Sequence, residues 1–138
     1  MTGWLLDTNV LSEVTRPAPD RAVQRFLRGV SDFWLSSIVV HELLFGLSRM
    51  PEGQRRAEIA AMIEGMVGLY RDRILPIGFD EAATAADLRS RMRRAGRALT
   101  LGDSLIAATA LVHGLELATR NTKDFDGLGV PLVNPWEN

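Results

Sequence analysis

Two hydrophobic rhythms alternate along the chain, and between them they predict most of its architecture. Short apolar runs read as strands: Trp4-Leu5-Leu6, Phe33-Trp34-Leu35, Ile74-Leu75-Pro76-Ile77, Leu115-Glu116-Leu117-Ala118-Thr119 and Val130-Pro131-Leu132-Val133. Pro76 moves the third run toward a sheet edge, because proline has no N–H to give to a ladder. Between the runs, apolar positions recur at helical spacing. Thr8 and Asn9 are candidate N-caps for a helix bearing Val10, Leu11 and Val14, which Pro17 and Pro19 end. Asp20 caps a second helix with Ala22, Val23, Phe26 and Leu27. Ser36 or Ser37 opens a third through Val39, Val40, Leu43, Leu44 and Leu47. Pro51 fits the first turn of a fourth, with Ile59, Met62, Ile63, Met66, Val67 and Tyr70 on one stripe. Helices over 80–95 and 102–113 end at Gly96 and Gly114.

Strands alternating with helices predict an α/β fold with a mostly parallel sheet. No linker, repeat or low-complexity segment interrupts it, so residues 1–138 read as one domain. No apolar run approaches a membrane span, and the stretch before Asp7 is too short for a signal-peptide core. The absence of cysteine removes disulfides, thiolate metal sites and a cysteine nucleophile. The expected location is the cytoplasm.

In open parallel sheets, ligands bind beyond the carboxyl ends of the strands. Four acids fall there. Asp7 follows the first strand, Glu42 lies early in the helix after the second, Asp103 sits in the first turn of its helix, and Asp124 follows the fourth strand. Singly, each has an ordinary reading: a helix-start acid favoured by the macrodipole, an Asx turn, a solvated helix position. Together they read differently. Glu42 lies among Ile38, Val39, Val40, Leu43, Leu44 and Phe45, a sequence expected to be largely buried, where a carboxylate is costly unless paired or bound to a cation. Crowded carboxylates raise one another's pKa, and a divalent cation reverses that repulsion. Oxygen ligands alone favour Mg²⁺ or Mn²⁺ over zinc. One or two such ions activate water and stabilise an in-line displacement at phosphorus, so phosphodiester hydrolysis is the expected reaction class.

Competing motifs fail. His41-Glu42-Leu43-Leu44-Phe45 opens like a zincin helix but has Phe45 at the second histidine position. Asp7-Thr8-Asn9 approximates an aspartyl phosphotransferase motif, but Asn9 stands at its second aspartate and the chain has a single lysine, Lys123. No glycine-rich nucleotide loop is present. His41 and His113 read as packing or surface residues.

Leu5-Leu6-Asp7-Thr8-Asn9-Val10-Leu11-Ser12-Glu13 resembles the opening of PIN-domain ribonucleases, in particular the VapC-type toxins of type II toxin–antitoxin systems. Three further segments resemble later motifs in the same order: 36–43, 102–110 and 118–125, with Val133-Asn134-Pro135-Trp136 similar to a common ending. The likeness spans nearly the whole chain and is nearer to the FitB branch. It implies a single PIN domain and Mg²⁺- or Mn²⁺-dependent endonucleolytic cleavage of RNA. It also implies a homodimer and silencing by a small cognate antitoxin. A second role is open: a binding component acting mainly in a regulatory complex that reaches DNA through the antitoxin. Carried over by motif, Asp7, Glu42 and Asp103 are the core acids and metal ligands, and Thr8 supports the metal-bound water. For the fourth position Asp124 is chosen, with Asn121 as a hydrogen-bonding helper.

Charge adds one more feature. The net charge of −1 does not announce a nucleic-acid binder, but 15 of the 16 basic residues are arginines, which suit phosphate and equally mark a GC-rich genome. Arg89, Arg91, Arg93, Arg94 and Arg97 crowd one helix end, Arg89 with Arg93 and Arg93 with Arg97 at one-face spacing. Arg89, Arg93 and Arg97 read either as a contact for RNA or an acidic antitoxin segment, or as a solvated face. The Met62–Tyr70 stripe reads as core first and as an interface second.

Overall fold

The computed structural model describes residues 3–29 and 32–137. Five parallel strands form one sheet in the order β3-β2-β1-β4-β5: β1 (Trp4–Leu6), β2 (Phe33–Ser36), β3 (Ile74–Leu75), β4 (Glu116–Ala118) and β5 (Leu132–Val133). Six helices connect them: α1 (Thr8–Val14), α2 (Arg21–Gly29), α3 (Ser37–Ser48), α4 (Gln54–Leu69), α5 (Phe79–Arg94) and α6 (Leu101–His113). The expected single α/β domain is what the chain forms, with β3 at an edge as Pro76 implied.

Consecutive strand residues point to opposite faces of a sheet. Leu5 and Leu6, Leu35 and Ser36, and Leu117 and Ala118 are all buried, so helices cover both faces of the central strands. The core continues into α6, where Ile106, Ala107, Ala108 and Ala110 are fully buried. The α5 helix packs along α6, and α3 packs against α1 and α4. No helix among the described residues is long and apolar enough to cross a membrane.

Gly3 shows how tightly the sheet is entered. Its φ of 122° suits glycine, and a Cβ there would lie 2.3 Å from the Asp32 carbonyl oxygen. At the far end of α6, Gly114 closes the helix in the left-handed conformation.

Several boundaries differ from expectation. The cap of α1 is Asp7, not Thr8 or Asn9, because its carboxylate accepts the Thr8 amide hydrogen. Helix α4 begins at Gln54 after Gly53 rather than at Pro51, and α6 begins at Leu101 on a Thr100 cap. The fourth and fifth strands are shorter than their apolar runs. Helix α3 is less buried than its composition suggests: Val39 and Leu43 face the core, while Leu44 and Phe45 are 50% and 56% exposed. The α4 stripe likewise buries only Ile63 fully, and Met62 is exposed. An apolar helix needs an apolar neighbour on each side, and a domain this small does not supply one.

Candidate functional site

The site begins where β1 ends. Parallel pairing of Leu6 with Ala118 brings Asp7 beside Thr119, and the Asp7 amide donates to the Ala118 carbonyl at 2.9 Å. Asp7 Oδ1 accepts from the Thr8 amide at 2.8 Å. Asp7 Oδ2 accepts from the Thr119 hydroxyl at 2.7 Å and, at the longer distance of 3.4 Å, from Asn9 Nδ2. Asn9 Oδ1 accepts from the Arg120 amide at 3.3 Å, and Thr119 Oγ1 accepts from the Asn121 amide at 3.1 Å. The exits of two adjacent strands are thus laced around one buried carboxylate.

Two helix starts complete the group. Ser36 caps α3 and leaves Glu42 in its second turn. Thr100 caps α6, its hydroxyl accepting from the Asp103 amide at 3.1 Å, which sets Asp103 in the first turn. The start of α6 approaches Glu42 closely enough that a methyl group at Gly102 would lie 3.4 Å from Glu42 Oε1. Asp7, Glu42 and Asp103 therefore line one cavity of about 480 Å³, with Thr8 and Asn121 in its wall. Asp124 does not line it. It sits exposed in a 3-10 turn, Thr122–Phe125, where its charge is nevertheless felt by Asp7 and Asp103.

The electrostatics follow from this crowding. Burial pushes the Asp7 carboxyl above the ordinary aspartate range, against the hydrogen bonds from Thr119 and Thr8, and Asp124 adds repulsion. Burial raises Glu42 too, reinforced by Asp7 and Asp103 and eased by Thr8 and His41. Asp103 rises through burial and through the charges of Asp7 and Asp124, eased by Thr100. Thr8 lies beside Glu42, yet Thr8 Oγ1 and Glu42 Oε1 are both buried without a well-formed hydrogen bond.

These features fit a hard divalent cation. The donors are carboxylate and hydroxyl oxygens, two buried oxygens lack partners, and the charges repel. Among the described residues no three acids or histidines stand close enough together to enclose an ion. Mg²⁺ characteristically keeps several waters and takes only one or two carboxylates, so such a cage is not required.

Sequence reasoning overlooked several lining residues. Asn9, Ser12 and Glu13 share a face of α1, and the i, i+3, i+4 spacing was available to show it. Glu13 is buried, accepting from the Asp20 amide at 2.8 Å and pairing with Arg16 at 3.4 Å. Arg120 lies over the Trp136 ring at 5.0 Å, and both line the cavity. Thr119 lies in the 118–125 segment, but nothing in the sequence around it marks it as the partner of Asp7.

Arg89, Arg93 and Arg97 are not at this cavity; they line a separate cleft. Arg93 and Arg97 do not share a helix face, because α5 ends at Arg94. His41 stacks on Phe45, and neither histidine lines the acidic cavity.

Residues 4–130 match the PIN domain. The chain belongs to the PIN domain family. Among PIN-domain relatives, a VapC ribonuclease of Sinorhizobium fredii is 40% identical over 136 residues, covering 96% of this chain and 97% of that protein. Toxin FitB of Neisseria gonorrhoeae is 37% identical over 137 residues, covering 97% and 99%. The solved structure of FitAcB from the same organism superposes with a TM-score of 0.91 at 37% identity, over 98% of this chain and 99% of that one. A structure of FitAB bound to a DNA fragment gives 0.90 at 36%, over 96% and 95%. Placed on a PIN fold, the acidic cavity lies beyond the carboxyl ends of β1, β2 and β4.

Proposed function

We propose that the protein is an endoribonuclease toxin of a type II toxin–antitoxin system, a PIN domain over residues 1–138 acting with Mg²⁺ or Mn²⁺. One observation carries the reading. Asp7, Glu42 and Asp103, from three distant segments, meet in one cavity with their proton affinities raised together. The names of the VapC ribonuclease and tRNA(fMet)-specific endonuclease relatives support RNA as the substrate.

In this reading Asp7 and Asp103 would hold the cation, with Glu42 close by in the same cavity and Asn121 in its wall, while Asp124 acts on them only through its charge from outside that wall. A bound divalent ion would supply Lewis-acid stabilisation of the phosphate and lower the cost of deprotonating water. The chain supplies the rest. Thr119 and the Thr8 amide fix the Asp7 carboxylate. Glu42 Oε1, buried and unbonded, is available to accept a proton, and burial with the charges of Asp7 and Asp103 raises its affinity for one. Arg16 and Arg120 in the cavity wall draw in the phosphodiester.

The test is cleavage of RNA by the purified chain with and without Mg²⁺ or Mn²⁺. Activity that persists in EDTA, or survives Asp7→Asn, excludes the mechanism.

The partner in this reading is a small cognate antitoxin, and the assembly is built on a homodimer. A second reading, a component acting mainly in a DNA-binding regulatory complex, draws on the FitAB structure bound to DNA. It predicts operator binding in a gel-shift only when the antitoxin is co-expressed. Both roles are compatible.

A further inference from the structure

Outside the acidic cavity, a strongly charged feature is the cleft between the end of α5 and the segment 95–100. It has a volume of about 530 Å³ and is lined by Arg89, Ser90, Arg93 and Arg97, with no carboxylate in its wall. The helix sorts its arginines. Arg91 pairs with Asp87 at 3.2 Å and is not in the lining. Arg89 Nε donates to the Leu99 carbonyl at 3.3 Å, and Arg97 donates to the carbonyls of Asp126 and Lys123 at 2.7 and 3.2 Å. Those bonds fix two guanidinium groups without neutralising them. Among the described residues, the Arg93 side chain has neither ion pair nor hydrogen bond, while its backbone carbonyl accepts from the Gly96 amide at 3.0 Å.

The cleft is tied to the acidic edge from two sides. Arg89 holds the residue before Thr100, the cap that sets Asp103 at the start of α6. Arg97 grips the carbonyls on either side of Asp124.

Resting on the ribonuclease reading, we propose that this cleft is a phosphate-binding subsite for the RNA strand, at a nucleotide removed from the bond that is cut. A guanidinium fork takes two phosphate oxygens at once, and three of them around a hydroxyl make a site for an anion rather than for a base edge. Arg93 is the free donor; Arg89 and Arg97 shape the wall. An arginine at a helix C-terminus also complements the macrodipole. A purely structural Arg93 would change thermal stability and leave RNA binding alone.

The experiment measures binding of a fluorescein-labelled single-stranded oligoribonucleotide to the full chain in EDTA, across a salt series. Arg93→Gln should weaken binding several-fold and make the salt dependence shallower by about 0.7 in the log–log slope, the loss of one phosphate contact. Arg93→Lys, which keeps the charge but not the fork, should fall between Arg93→Gln and the wild type in affinity while keeping the wild-type salt slope, and Arg91→Gln should retain all of the affinity. With Mg²⁺, Arg93→Gln should raise KM for RNA while hydrolysis of a small phosphodiester such as bis(p-nitrophenyl) phosphate stays at the wild-type rate. Unchanged affinity and slope in Arg93→Gln overturn the subsite, as does a wild type that binds no RNA. Loss of antitoxin binding with RNA binding intact also overturns it and assigns the cleft to the protein partner. Arg93-dependent binding by a wild type that cleaves nothing leaves the subsite standing and defeats the nuclease reading.

Discussion

The Thr119 hydroxyl donates a 2.7 Å hydrogen bond to Asp7 Oδ2, across 112 residues of sequence. It opposes the burial that raises this carboxyl, and it fixes which way the carboxylate faces. Hydrogen bonds to charged groups contribute about 1.5–3 kcal/mol, so Thr119→Val should lower kcat for RNA by about tenfold or more. Thr119→Ser should restore it. A Val variant with full activity and an unchanged pH profile would remove Thr119 from the mechanism.

Asp103 lies beside two other negative charges in the same region, Asp7 and Asp124. Removing its charge should therefore abolish cleavage without harming the metal-free fold. Thermal unfolding in EDTA should give Asp103→Asn a midpoint equal to or above the wild type. A clear fall would mean that Asp103 is structural.

The same repulsion sets a pH dependence. The three carboxyls bind protons more tightly when folded than their ordinary values of 3.8 for Asp7 and Asp103 and 4.5 for Glu42. Their contribution to stability is complete below those values and is lost as pH rises through the raised ones. In EDTA these groups should thus favour the folded wild type increasingly as pH falls toward their ordinary values, and Asp103→Asn should show a weaker trend. The melting-temperature difference between the two proteins isolates the effect, since the remaining carboxylates are common to both.

A cation that binds only the folded acids should stabilise them. At about 100 times its dissociation constant, Mn²⁺ should add about 2.7 kcal/mol to the wild type. Calorimetry of Asp7→Asn should show little of this gain. An equal gain in both proteins would place the ion elsewhere.

Gly3 tests the scaffold apart from the chemistry. Its φ of 122° and the 2.3 Å approach to the Asp32 carbonyl leave no room for a methyl group. Gly3→Ala should cost about 1–3 kcal/mol of stability, read by urea denaturation, with activity per folded molecule preserved.

The sequence by itself determined the order of strands and helices, the edge position of β3 and the four acids beyond strand ends. Each of these follows from local rules: apolar period, turn residues, and the position of an acid just after a run. What tertiary structure alone decided is where distant segments meet. Strand pairing set Asp7 beside Thr119, and the approach of α6 set Gly102 beside Glu42. It lined the cavity with Asn121 and left Asp124 outside that wall. It also exposed Leu44 and Phe45 where composition implied burial. Hydrophobic periodicity records which face of an element is apolar, but not which neighbour arrives to cover it, and a hydrogen bond between residues 7 and 119 leaves no periodic trace in either segment.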